Sequence, residues 1–183
     1  MDFDWIRPRL SILYASGDSN PYDNTEHGFD ALFENPMFAG GDSSFWSRQA
    51  LPYANGVKLN GRNGILNALR SSKEQGQSNF ANPGTQLFGL GADFDVLPEL
   101  RISVNANQLF FDDTAVLEAT QNGRRISRDI GLDTSVALVY RPFQTQNVIF
   151  RLSGAVLLPG DGFKDLYGDR LGFSVLSNLI LAF

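Results

Sequence analysis

The chain has 183 residues, a formal net charge of −5, a sequence pI of about 4.8, no cysteine and one histidine, His27. Acidity argues against nucleic acid as a partner, the missing thiols exclude disulfides and thiolate metal sites, and a lone histidine makes histidine catalysis or zinc ligation improbable. No run of about 18 apolar residues exists for a transmembrane helix, while 18 glycines, 15 phenylalanines and only 19% charged residues suit a β protein that meets lipid.

In chain order, the first alternating segment sets Leu10, Ile12 and Tyr14 against Arg9, Ser11 and Leu13, with Arg7 continuing the polar set and Pro8 weakening the start of the strand. The start, Met1 to Pro8, lacks a basic region followed by an apolar core, as expected of a processed chain or of a piece of a longer one.

A long loop, residues 17–83, follows and is read as extracellular. It is rich in Gly, Asn, Ser and Asp and lacks strand periodicity. Within GDSNPYDNTEHGFD, the oxygens of Asp18, Asn20, Asp23, Asn24 and Asp30 could suit Ca²⁺, but no EF-hand spacing is present, and Asx turns are the favoured reading. His27 reads as a surface residue. Asn63 to Arg70 (NGILNALR) is expected to form a short helix with Ile65, Leu66 and Leu69 on one side. The loop is expected to fold inward as a constriction or to pack over a barrel mouth.

Beyond the loop, five further segments alternate with period two. Phe88, Leu90, Ala92, Phe94 and Val96 oppose Gly89, Gly91, Asp93 and Asp95. Ile102, Val104, Ala106 and Phe110 oppose Arg101, Ser103, Asn105 and Asn107. Leu132, Thr134, Val136, Leu138 and Tyr140 oppose Asp133, Ser135, Ala137, Val139 and Arg141. Val148, Phe150, Leu152, Gly154, Val156 and Leu158 oppose Arg151 and Ser153. Phe173, Val175, Ser177, Leu179, Leu181 and Phe183 oppose Ser174, Leu176, Asn178, Ile180 and Ala182.

About six strands result, each near the roughly 9–11 residues that cross a bilayer when tilted. Connections alternate in length: Leu97 to Leu100 and Pro142 to Asn147 are short, whereas 17–83, Asp112 to Asp129 and Pro159 to Leu171 are long. Short periplasmic turns and long outer loops characterise outer-membrane barrels. Aromatic girdles are expected at Phe94, Tyr140 and Phe183 on one rim and at Tyr14, Phe88, Phe110 and Phe173 on the other. The fold class expected is all-β, an antiparallel transmembrane β-barrel, with residues 1–183 as its C-terminal portion.

The polar face carries Arg7, Arg9, Asp93, Asp95, Arg101, Asn105, Asn107, Asp133, Arg141 and Arg151. An arginine facing lipid at mid-depth would cost about 2–4 kcal/mol, so this set is expected to line a wet lumen. It could select solutes or brace the wall through ion pairs, and the two roles are compatible. No Ser–His–Asp constellation, carboxylate pair or phosphate loop is visible, so neither enzyme activity nor a cofactor is expected. Arg124 and Arg125 fall in an outer loop, where solvated charge is the plain reading and lipopolysaccharide a possible contact. The terminal segment, with Phe173, Val175, Leu179, Leu181 and Phe183, looks like the signal read by the barrel-assembly machinery, whose open strand edge can pair with it.

The stretches LSILYASGD (Leu10 to Asp18), GFDALFENPMFAGG (Gly28 to Gly41) and RDIGLDTSVALVYRP followed by LPGDGF resemble the alginate-export family of outer-membrane porins. The resemblance covers much of this chain but only about the last third of a family barrel. It implies a large barrel that passes solutes. The namesake exports an anionic polysaccharide through an Arg-rich lumen, in which Arg7, Arg9, Arg101, Arg141 and Arg151 would be counterparts in role. Asp93, Asp95 and Asp133 depart from a purely cationic pore.

The function expected is therefore an outer-membrane porin or export channel for small or polymeric hydrophilic solutes. Alternatives are a scaffold barrel enclosing a partner protein and, behind it, a soluble β-barrel binding protein. Six strands are fewer than the eight of the smallest known barrels, and an open edge in lipid leaves backbone groups unpaired. The missing strands are expected from upstream sequence first, then from a second polypeptide, then from further copies of the chain. Orientation is the decisive point: Leu138, Leu152 and Leu179 must face outward, and Arg141 and Arg151 inward.

Overall fold

A computed structural model of the chain describes residues 5–29, 38–53, 57–61, 64–70, 82–142 and 147–182. Phe183, Asp30 and the centre of the Pro142 to Asn147 connection lie outside these residues. Six strands form one antiparallel sheet: β1 (Ile6–Ala15), β4 (Thr85–Leu97), β5 (Leu100–Phe110), β6 (Asp129–Tyr140), β7 (Val148–Pro159) and β8 (Gly172–Leu181). Each strand pairs with its neighbours in that order, so the sheet is an up-and-down meander with β1 and β8 at its edges, and it is not closed. Within the long loop, β2 (Lys58–Asn60) and β3 (Asn67–Arg70) pair as a separate small sheet. Three short helices complete the described structure: α1 (Phe45–Arg48), α2 (Ala115–Thr120) and α3 (Asp161–Tyr167).

Two-residue periodicity sorts the side chains, because opposed residues of an antiparallel pair share a face. The register runs Arg9 to Gly91 to Asn105 to Ser135 to Ala155 to Ser174 on one face and Leu10 to Leu90 to Ala106 to Thr134 to Val156 to Phe173 on the other. The second face is apolar and open: Leu90 is 66% exposed, Leu152 42% and Leu179 63%. Along the paired strands its only charged side chain is Asp129, at the loop end. At about 3.4 Å per residue and about 4.8 Å per strand, this face measures on the order of 1,000 Å², beyond the few hundred that soluble monomers expose.

The first face changes character along its length. Toward the long loops it supplies Leu87, Leu109 and Leu157 to a dry core completed by Phe45, Trp46, Leu51, Leu59, Ile65 and Leu66 of the long loop, Leu117 of α2 and Phe163 of α3. The described residues of the long loop from Phe38 to Arg70 thus form a cap, called the plug below, packed on the polar side of the sheet. Burial pushes the phenol of Tyr167 in α3 above its usual range, and its hydroxyl donates to Pro52 O at 3.0 Å.

A β-bulge makes one core residue legible only in three dimensions. Leu109 opposes Gly131 while Phe110 opposes Asp129, so Ile130 is extra. It leaves the alternation and is fully buried in the core. Gly131 sits at φ +129°, where a Cβ would collide with the Leu158 carbonyl.

One expected element is corrected. Asn67 to Arg70 is a strand, not the end of a helix, and Ile65 and Leu66 form a bend. The spacing of Ile65, Leu66 and Leu69 permits a helix, but tertiary bonds override it. Asn67 N donates to Thr85 Oγ1 at 3.3 Å, and its amide donates to Gly84 O at 2.5 Å and to Thr85 Oγ1 at 2.8 Å. Leu69 takes φ +38°, outside helical geometry.

Candidate functional site: a polar cavity under the plug

Nine residues of the expected polar set fall on one face of the sheet by register, and Arg141, one residue past the end of β6, lines the same cavity as five of them. The structure divides them into three groups with different surroundings.

Near the short turns, arginines and aspartates interlock. Arg7 pairs with Asp95 at 2.5 Å, and Arg101 binds the same carboxylate through Nε at 2.6 Å and NH2 at 3.3 Å, a bidentate fork. Arg9 pairs with Asp93 and also donates to Asn105 Oδ1 at 2.8 Å. The alternation of the strands places these groups: Arg7 opposes Asp93 across β1 and β4, and Asp95 opposes Arg101 across β4 and β5. Partial exposure leaves each pair a modest contribution, on the order of 1 kcal/mol or less.

In the middle of the sheet, Asn105, Asn107 and Asp133 meet the plug. Asn107 and Asp133, expected to line a lumen with the others, lie instead beneath the plug and are buried. The reason is hydrogen bonding to the plug's backbone. Asn107 Nδ2 donates to Ala39 O at 2.8 Å. The Asp133 carboxylate accepts from Phe45 N at 3.2 Å, Trp46 N at 2.9 Å and the Ser44 hydroxyl. Those N–H groups are orphan donors of the first turn of α1, so a strand carboxylate satisfies them from outside the helix. Ser43 and Ser135 hydroxyls meet at 3.1 Å. Gly40 has φ +70° and lies so close to Asn105 that a Cβ would strike its amide.

The third group is Arg141, just past the end of β6, and Arg151 on β7. Arg151 pairs with Asp42 of the plug. The Arg141 side chain has no hydrogen-bond or ionic partner among the described residues, and its Nε is buried.

Between the sheet and the long-loop segment lies a half-open cavity of about 820 Å³. Arg9, Asp93, Arg101, Asn105, Arg141 and Arg151 line its sheet side, and Phe38, Ala39, Gly40 and Asp42 line its plug side. A smaller recess of about 340 Å³ continues past Asp95, Arg101 and Arg141 toward the Pro98 turn. Four arginines and two aspartates face the main cavity, so it carries a positive bias, and among the described residues Arg141 is the arginine there without an ionic partner. It can hold water and polar or anionic groups. Sequence reading did not single out Asp42, Ser43, Ser44 or Trp46. The signal available was the short-residue run Gly40 to Ser44 ahead of two aromatics, which has no strand period.

The other singled-out residues are placed as follows. Phe173, Val175, Leu179 and Leu181 share the apolar face of β8 and are exposed. Tyr14, Phe88 and Phe110 join Phe173 near the loop end of that face, with the Phe88 and Phe110 rings edge-on at 6.5 Å, and Phe94 and Tyr140 lie toward the other end. The Asx segment is a chain of turns: Thr25 N donates to Asp23 Oδ1 at 2.8 Å, Asn20 N to Asp18 Oδ1 at 3.4 Å and Tyr22 N to Asn20 Oδ1 at 3.4 Å. Arg124 pairs with Asp165 at 3.6 Å. No helix among the described residues is long and apolar enough to cross a membrane, a statement that does not bear on crossing by strands. No family model, curated protein or solved structure matches the chain.

Proposed function

We propose that this chain is wall and plug of an outer-membrane β-barrel that passes hydrophilic solutes, with the cavity at Arg141 on their path. One observation carries the reading. The same six strands put a mostly apolar face toward one side, with Asp129 at its loop end as its one charge among the paired residues, and arginine, aspartate and asparagine toward the other, and the apolar face is the exposed one. A soluble sheet would bury that face. In a bilayer it meets hydrocarbon, while the ion pairs stay in a wet interior. Strands of 10 to 13 residues match the length a tilted crossing needs.

The resemblance to alginate-export porins agrees with a solute channel. Asp93 and Asp95 neutralise the arginines beside them, so the anion bias rests on Arg141 rather than on the whole face. The exposed apolar strand β8 is the segment the barrel-assembly machinery would pair with during insertion.

Single cysteines test the orientation, since the chain has none of its own. In outer-membrane vesicles, Leu152→Cys is expected to resist a water-soluble maleimide and Ser103→Cys to react. The reverse pattern removes the membrane reading. Planar-bilayer recording then separates a channel, which conducts, from a scaffold whose interior is filled by a partner protein.

A further inference from the structure

Among the described residues the sheet ends on two unpaired edges, β1 and β8. Their neighbours fix which backbone groups are free. Asp95 N–H donates to Trp5 O at 2.9 Å, so the odd residues of β1 bond toward β4 and the even ones aim at the free edge. Ala182 N–H donates to Asn147 O at 2.9 Å, so the even residues of β8 bond toward β7 and the odd ones aim outward. Even residues of β1 and odd residues of β8 are also those of the apolar face. The two edges are therefore complementary: joined antiparallel, free ladder groups meet and apolar residues oppose apolar residues. Both strands are 10 residues long, and in a six-strand meander they run in opposite directions. With the six described strands alone they cannot meet, because six are too few to close a transmembrane barrel.

We infer that a second copy of this chain closes the wall, giving a two-fold symmetric, twelve-stranded barrel in which β8 of each copy pairs with β1 of the other. The inference builds on the barrel reading above and names the source of its missing strands. The register within the sheet fixes the tilt that each possible seam would give. Opposed residues lead across the sheet from Arg9 to Ser174. If Ser174 meets Ala15 of the second copy, the line climbs six residues per copy, and a ring whose stagger equals its strand number tilts its strands by about 35°. Meeting Leu13 instead gives about 25°, below the range of known barrels. The next register up would need a residue beyond the end of β1 at Ala15. In the selected register Leu13 faces Leu176 and Ser11 faces Asn178, while Arg9 faces Ile180 near the turn end. Pro8, which has no N–H, falls opposite Leu181 at the end of β8, where the rim offers water.

The test mixes two single variants of the full chain, Ser11→Cys and Asn178→Cys, co-expressed and oxidised in membranes. These positions form a non-hydrogen-bonded pair across the new seam, the spacing a disulfide accepts. A covalent dimer is expected from the mixture, from neither variant alone, and at least tenfold less from Ser11→Cys mixed with Leu176→Cys. Membrane-embedded chains that stay monomeric with both thiols free would overturn the dimer and leave the barrel reading standing. Cross-linking in chains recovered only from the soluble fraction would keep the dimer and remove the membrane.

Discussion

Leu87 and Asp93 stand on the same face of the same strand, yet one sits in a dry core and the other in a lattice of ion pairs. The loop-end half of the polar face packs Leu87, Leu109 and Leu157 against Trp46 and Phe45, and the turn-end half sets Arg7, Arg9 and Arg101 against Asp93 and Asp95. A uniform wet face would carry polar residues throughout. The change shows that the plug belongs to the wall: the strands devote half of one face to holding it, and Asp133 and Asn107 mark the seam between the two halves.

The largest expected effect lies in the dry half. Trp46→Ala removes a fully buried ring, together with the bond from its Nε1 to Ile65 O, and is expected to cost about 3–5 kcal/mol. Urea unfolding in detergent measures the loss, and single-channel recording is expected to show a larger, noisier conductance as the plug loosens. An unchanged midpoint would mean that the plug does not depend on that core. Next comes the apolar face. Leu152→Arg, near the middle of β7, is expected to cost about 2–4 kcal/mol for folding into lipid vesicles, and a neutral result contradicts hydrocarbon contact.

At the seam, Asp133→Ala orphans two backbone donors and a hydroxyl, and is expected to cost about 2–3 kcal/mol by the same urea titration. If it costs no more than an exposed substitution, the plug is held by apolar packing alone. In the wet half the numbers shrink. Arg101→Gln breaks a partly exposed fork to Asp95 and is expected to cost about 1 kcal/mol, less at high salt. Arg141→Gln removes a cation without a partner among the described residues, so stability is expected to move by less than about 0.5 kcal/mol. Its readout is selectivity: the anion-to-cation permeability ratio is expected to fall, measured by the reversal potential under a salt gradient. A large stability loss with unchanged selectivity would make Arg141 a brace.

Most of the wall was legible in the sequence because side chains alternate with period two regardless of what lies far away. Leu10, Ile12 and Tyr14 against Arg7 and Arg9, or Leu152 against Arg151, declare strand and face from local spacing alone. The same spacing put ten polar residues on one side, and the register places nine of them there, Arg141 lying just past the end of β6. What those residues touch was not legible. Asp133 and Asp95 are equivalent by alternation, and only the docking of Ser44 to Trp46 separates a buried anchor from a half-wet ion pair. Ile130 defied its parity because a bulge forms where the chain must bend, and Asn67 entered a strand because Thr85 and Gly84 offered it partners far away in sequence. Strand identity and facing follow from backbone geometry that each residue carries with it. Plug, cavity and pairing follow from contacts between residues far apart in the chain, and no local pattern encodes which of them will meet.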